Sequence, residues 1–160
     1  VEVKKLMTSE EMLTSLRKKS RDNSRTPMQW DDSTNAGFST GTPWIKVNPN
    51  YTEINAREQL QRPDSVFHYY QKLIQLRKQH EIIVYGKYEL LDGTNPDVYA
   101  YTRALDNKKL LIVCNFTSKE LDYPIPEMYK DGSCLISNYP DNTIGTKLRP
   151  YEAYVLHIEL

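Results

Sequence analysis

The stretch VYAYTRALDNKKLLIVCN, residues 98–115, holds two β-rich runs, Val98–Arg103 and Lys109–Asn115, around the turn pair Asp106-Asn107. In the first run Tyr99 and Tyr101 fall on one face by the period of two that a strand imposes. Aspartate and asparagine tolerate the φ values a tight connection needs, so the two runs read as a hairpin. Working outward, further short β-rich runs appear at Ile82–Leu91, Leu121–Ile125, Cys134–Ser137 and Tyr151–Ile158. Asp92-Gly93, Asp131-Gly132, Pro140-Asp141-Asn142 and Gly145 punctuate them. Residues 81–160 are therefore expected to form an all-β antiparallel sandwich or barrel.

N-terminal to it, Pro63 and a capping Asp64 or Ser65 open a helix over 65–80. Val66, Tyr69, Tyr70, Leu73 and Leu76 lie on one side, and Gln71, Lys72, Gln75 and Lys78 on the other. His80 at its end reads as a partner for the helix dipole. From Ser20 to Arg62 periodicity disappears, and Pro27, Gly37, Gly41, Pro43 and Pro49 interrupt a polar tract. Met28, Trp30, Phe38, Trp44, Ile45, Val47 and Tyr51 are anchors that a solvated linker would not carry, so the tract is expected to be an ordered loop. Before it, Thr8-x-x-Glu11 is a capping box for a short helix over 9–19.

Composition narrows the function classes. Lys+Arg and Asp+Glu both number 21, so the net charge is zero and the positive field that draws proteins to phosphate backbones or anionic lipid is missing. The longest apolar runs fall far short of a bilayer span, and no basic-then-apolar leader opens the chain, so a cytoplasmic location is expected. Cys114 and Cys134 lack metal-site spacing and read as small buried thiols. Asn50-Tyr51-Thr52 and Asn115-Phe116-Thr117 match a glycosylation pattern that arises often by chance. Asp31-Asp32-Ser33-Thr34-Asn35-Ala36 lacks the glycine and closing glutamate of a calcium loop, and neither metal nor cofactor is expected. Twelve Tyr against 3 Phe suits a sugar-binding surface and a β-sheet equally.

The chemistry concentrates in SRDNSRTPMQWDD, residues 20–32, followed by Asn35-Ala36-Gly37-Phe38 and Pro43-Trp44-Ile45. Arg21 and Arg25, four residues apart around Asp22 and Asn23, give planar forks that a carboxylate can hold and that can be offered to vicinal hydroxyls. From the residues alone, a structural Arg-Asp network pinning the loop is the competing reading.

This string resembles the segment after the eighth barrel strand in α-glucosidases of glycoside hydrolase family 13, the α-amylase superfamily, in the group of oligo-1,6-glucosidases, dextran glucosidases and trehalose-6-phosphate hydrolases. The likeness continues through Val47-Asn48-Pro49-Asn50-Tyr51, Tyr69-Tyr70-x-x-Leu73-Ile74, Tyr85-Gly86-x-Tyr88 and Tyr99-Ala100-Tyr101-x-Arg103 to Pro150-Tyr151-Glu152-Ala153. It implies the end of a (β/α)8 barrel followed by a β-sandwich called domain C, with residues 1–80 the barrel remnant and 81–160 the sandwich. It implies retaining hydrolysis of short α-linked gluco-oligosaccharides, with Arg25 holding the non-reducing glucose and Arg21 bracing the same pocket. The nucleophile and acid/base carboxylates belong to earlier strands, so no catalytic residue is expected here and the isolated chain should be inactive. Trp30, Phe38 and Trp44 are expected to pack the loop. The alternatives are a trehalose-6-phosphate hydrolase fragment and a stand-alone carbohydrate-binding sandwich, which would display an aromatic platform at Tyr99 and Tyr101. The expected partners are the sugar substrate, the N-terminal part of a barrel, and a second copy through the 65–80 helix or the loop before it.

Overall fold

In the computed structural model, which describes residues 7–141 and 143–160, the hairpin at 98–115 forms as its pattern requires. Strand β2 (Val98–Leu105) pairs antiparallel with β3 (Lys108–Asn115) from Leu105↔Lys108 to Val98↔Asn115, turning at Asp106 with φ of 51°. The ladder extends to β1 (Lys87–Leu91) on one side and to β7 (Ala153–Glu159) and β5 (Ser133–Ser137) on the other, in the order β1-β2-β3-β7-β5. The central position of β3 explains its unbroken apolar run, since a strand covered on both faces has no solvent side to make polar. Leu110, Leu111, Ile112 and Val113 are all buried.

Alternation decides what each face of the sheet covers. Val98, Ala100, Leu111, Val113, Tyr154 and Leu156 form one core with Tyr129 and Leu148. A two-stranded ladder of β4 (Leu121–Asp122) and β6 (Lys147–Leu148) supplies Leu121 and Leu148 to it. The antiparallel sandwich is thus lopsided, five strands under two. β6 is two residues long and leaves no periodic trace in the sequence. The opposite face carries Leu110 and Ile112 beneath Ile82, with Tyr101, Leu105, Cys114, Leu135 and Val155 packed around them.

Ile82 corrects one expectation. Residues 82–85 form a short helix, α4 (Ile82–Tyr85), and the strand begins only at Lys87. The cause is tertiary: the Arg103 guanidinium donates to the carbonyls of Ile82 (3.2 Å), Val84 (3.3 Å) and Gly86 (3.0 Å), satisfying helix-end acceptors that water would otherwise have to reach. Gly86 permits the turn, because a Cβ there would collide with the Ile82 carbonyl oxygen.

Two compact units divide the chain, one ending at His68 and one spanning Tyr69–Leu160. The division falls inside helix α3 (Val66–Gln79), before which the Ser65 hydroxyl accepts from the His68 amide at 3.4 Å. In the second unit Tyr69, Leu73 and Leu76 of α3 line, with Leu110, Ile112, Cys114 and Val155, a cavity of about 230 Å³. The first unit opens with α1 (Ser9–Lys19), where Thr8 and Glu11 form the expected capping box. The tract from Ser20 is ordered but not structureless. It contains 3₁₀ turns at Arg21–Ser24, Thr34–Gly37 and Pro49–Thr52 and a helix, α2 (Ala56–Gln61), whose cap is the Asn55 side chain accepting from Glu58 N at 3.0 Å. No helix among the described residues is long and apolar enough to cross a membrane.

Candidate functional site

The two candidate arginines sit on one short turn with different surroundings. Ser20 Oγ accepts from the Asp22 amide at 3.3 Å and starts the 3₁₀ turn, and the Arg25 amide closes it on the Asp22 carbonyl at 3.1 Å. Asn23 Nδ2 donates to the carbonyls of Arg17 (2.8 Å) and Leu16 (3.4 Å), which ties the turn to the end of α1. Arg25 Nη2 donates to Asp22 Oδ1, so one nitrogen of its fork is held. Arg21 is exposed and makes no ion pair among the described residues. Asp22 therefore orients one arginine rather than two.

Beyond the turn the loop is braced by groups that carry no motif in the sequence. Arg57, at the start of α2, grips both neighbouring carboxylates: Nη2 to Asp31 Oδ2 at 2.6 Å and Nη1 to Asp32 Oδ1 at 3.0 Å. Asp31 also accepts from Ser33 Oγ (2.5 Å) and Ser33 N (2.9 Å), and these bonds, with the Arg57 charge, hold its carboxyl below the ordinary range. Asn55 is buried; its Nδ2 donates to the Tyr51 carbonyl at 2.9 Å, and the amides of Ala56 and Arg57 donate to the carbonyls of Gln29 and Trp30. A cap signal was present, since Asn55 precedes Glu58 by three. The Arg57 pairs, more than 20 residues apart in sequence, left none.

These contacts sustain an unusual backbone. Asn35, Ala36 and Gly37 take φ of 55°, 58° and 66° in succession. Only glycine adopts this region without penalty; an L residue pays about 1–2 kcal/mol. Ala36 is nonetheless fully buried, its carbonyl accepting from Trp30 N at 2.9 Å, while Asn35 Nδ2 donates to the carbonyls of Ser39 (3.1 Å) and Gly41 (2.9 Å).

The aromatic anchors depart from expectation. Trp44 is 91% exposed, and Trp30 and Phe38 are about half exposed, so they do not pack the loop. Hydrogen bonds close the loop instead: Asn55 is buried, Asn35 is partly covered, and the exposed Arg57 grips Asp31 and Asp32. In the second unit Tyr101 is half-buried while Tyr88 and Tyr99 are exposed, their hydroxyls 3.1 Å apart. Cys114 and Cys134 are half-buried thiols, and burial pushes that of Cys114 up. Asn115 of the apparent glycosylation site is buried, donating to the carbonyls of Lys119 and Arg149.

Residues 1–86 match the family described as alpha amylase, catalytic domain, and residues 98–155 match the alpha-amylase SusG C-terminal domain. The chain is 52% identical to the oligo-1,6-glucosidase of Parageobacillus thermoglucosidasius, over 94% of this chain and 28% of that protein. It is 42% identical to the trehalose-6-phosphate hydrolase of Bacillus subtilis, over 95% of this chain and 28% of the relative. Among solved structures it superposes on the Bacillus licheniformis trehalose-6-phosphate hydrolase with a TM-score of 0.89 and 41% identity, covering 99% of this chain and 30% of that one. On the isomaltulose synthase of Klebsiella sp. LX3 the TM-score is 0.89 at 42% identity, covering 94% and 28%. The chain thus spans under a third of the length of the relatives it matches, and over that span, from the arginine turn to the sandwich, it belongs to the α-amylase family.

Proposed function

We propose that this chain works as the C-terminal part of a retaining α-glucosidase that releases glucose from short α-linked gluco-oligosaccharides, with an oligo-1,6-glucosidase preference. Residues 1–80 would supply the last βα loop and final helix of a (β/α)8 barrel, and 81–160 its domain C. The observation that carries this reading is the ordered Arg21–Arg25 turn within a chain 52% identical to an oligo-1,6-glucosidase. Arg25, pre-aimed by Asp22, would donate to hydroxyls of the terminal glucose, and Arg21 would brace the same pocket. Chemistry needs a carboxylate nucleophile and a carboxylic acid about 5–5.5 Å apart across the scissile bond. Here Asp31 and Asp32 are engaged by Arg57 and Asp22 by Arg25, so those two groups would come from the remainder of the enzyme, acting in the cytoplasm.

Two measurements test the reading. The 160-residue chain should release nothing from an aryl α-glucoside; turnover that vanishes on mutating one of its own carboxylates would sink it. In the intact enzyme Arg25→Ala should lower kcat/KM roughly 10- to 150-fold, the value of a charged hydrogen bond of about 1.5–3 kcal/mol. Arg25→Lys should recover little, since a point charge does not reproduce the fork. Unchanged kinetics in a folded alanine variant would remove Arg25 from the site.

Two further readings have support. The 42% identity to a trehalose-6-phosphate hydrolase favours a phosphorylated substrate, which a comparison of isomaltose with trehalose 6-phosphate would decide. Of the pair Tyr99 and Tyr101, Tyr99 is exposed and Tyr101 packs against the apolar cluster under Ile82, which leaves a carbohydrate-binding sandwich one ring of its platform. On its own the chain would also self-associate through α3, where Val66 and Tyr70 are 79% and 64% exposed; light scattering that finds a monomer at high concentration would exclude this.

A further inference from the structure

The left-handed Asn35-Ala36-Gly37 segment carries strain, and the structure around it does more than close a loop. Strained backbone persists only where its surroundings over-determine it, and it gathers where a ligand is held. Here it is fixed from three sides. Asn35 donates to two carbonyls, Arg57 holds Asp31, and Gly37 is so close to Asp31 that a Cβ would lie 2.8 Å from its Oδ1. The product of this bracing is a hollow of about 590 Å³ lined by Ser33, Thr34, Gly37, Phe38, Ser39 and Thr40. The hollow is open, all six lining residues being exposed, and its volume lies within the range of small-molecule sites, about 300–1,000 Å³.

The lining selects a chemistry. Four of its six residues carry hydroxyls, none carries a charge, and the remaining side chain is an aromatic ring about half exposed. Ser33 is committed to Asp31, and Ser39 accepts from the Gly41 amide at 3.1 Å. The hydroxyls of Thr34 and Thr40 make no hydrogen bond among the described residues. A cation, a phosphate or a carboxylate would find no compensating charge in this lining. A neutral polyol would find donors and acceptors on the threonines and an apolar ring for its C–H face.

We propose that this hollow is a saccharide subsite, taking one neutral pyranose of an α-linked gluco-oligosaccharide, separate from the Arg21–Arg25 turn. The identity of the sugar rests on the α-glucosidase reading, whereas the existence of the site rests on the hollow itself. Phe38 supplies the stacking face, and Thr34 and Thr40 supply the hydrogen bonds, on a backbone already held in shape.

The test is an isomaltose titration of the isotope-labelled 160-residue chain followed through its backbone amides. Saturable shifts centred on residues 33–40 are expected. Phe38→Ala should weaken binding about five- to tenfold, the worth of one aromatic contact, while Phe38→Trp keeps it. An amide spectrum unchanged outside the loop certifies that each variant is folded. Shifts centred on Tyr88 and Tyr99, no saturable shift, or an affinity indifferent to Phe38→Ala would each overturn the proposal. Hydrolysis is not read in this assay. Loss of the subsite therefore leaves the α-glucosidase reading standing, and an intact enzyme unable to cleave isomaltose leaves a positive titration standing.

Discussion

The two units of this chain are held by different physics. Tyr69–Leu160 is organised by apolar burial, with Leu111 and Val113 at zero exposure and a second layer closing over them. The unit ending at His68 buries little: among its described residues Pro27, Ala36, Asn55 and Ser65 are buried, and two of those four are polar. It exposes Met28, Trp30, Phe38, Trp44, Ile54 and Leu60, and its ion pairs lie largely at the surface, while the buried Asn55 amide and the partly covered Asp31 carboxylate tie its turns together. The first unit is therefore precise without being deeply packed, which suits a surface that must meet a ligand or another part of a protein with its side chains already placed. The difference teaches that order and a hydrophobic core are separable; hydrogen bonds at good geometry can fix a loop that burial alone could not.

The sharpest way to break the comparison is to attack a place where the second unit also depends on charge. Arg149 donates to Glu152 (Nε to Oε1, 3.0 Å), to both oxygens of Asp141 (2.9 Å each) and stacks on Tyr139 at 3.8 Å. The Glu152 side chain is 2% exposed. Arg149→Ala strands that carboxylate, and urea unfolding should show a loss of about 3–5 kcal/mol. A loss below about 1 kcal/mol would mean that apolar burial carries the sandwich unaided. The same bonds hold the Asp141 carboxyl below its ordinary value. A depressed native value gives stability that is present above the ordinary carboxylate pKa, about 3.9, and is lost as pH falls through the lowered one. Acid unfolding below about pH 4 should therefore begin at higher pH in the variant than in the parent chain.

A smaller effect is expected in the first unit. Gly37→Ala forces an L residue to φ of 66° against Asp31, and should lower stability by about 1–2 kcal/mol, with the amides of residues 30–41 losing exchange protection first. Uniform loss of protection across residues 7–160 would show that the units are not separable. The least effect belongs to Trp44→Ala, which removes a 91% exposed ring and should change stability by no more than about 0.5 kcal/mol. A larger loss would mean that the ring packs after all.

Legibility in the sequence followed the same division. Local patterns carried the hairpin at 98–115, the capping box at Thr8 and Glu11, and the helix whose observed span is Val66–Gln79. What failed was decided at a distance. Ile82–Tyr85 has the composition of a strand, and the Arg103 guanidinium, 17 residues beyond Gly86, turns it into a helix. Likewise Arg57 reaches back 26 residues to Asp31, so the bracing of the loop has no local signature. The arginine turn was legible as a motif, but the division of labour within it, Arg25 engaged and Arg21 not, appears only once Asp22 has a position.

The edges of the five-stranded sheet bear on a different question, how the chain behaves when crowded. The outer strands of the sheet are β1 and β5. β5 carries a bulge between Cys134 and Ile136 that breaks its register with β7, and β1 presents exposed Lys87 and Glu89. A bulged edge and a charged edge are poor templates for an incoming backbone, so ribbon-like growth by strand addition is blocked at both ends. Contacts between copies are thereby confined to side-chain faces, and concentrated solutions should turn turbid reversibly rather than seed amyloid.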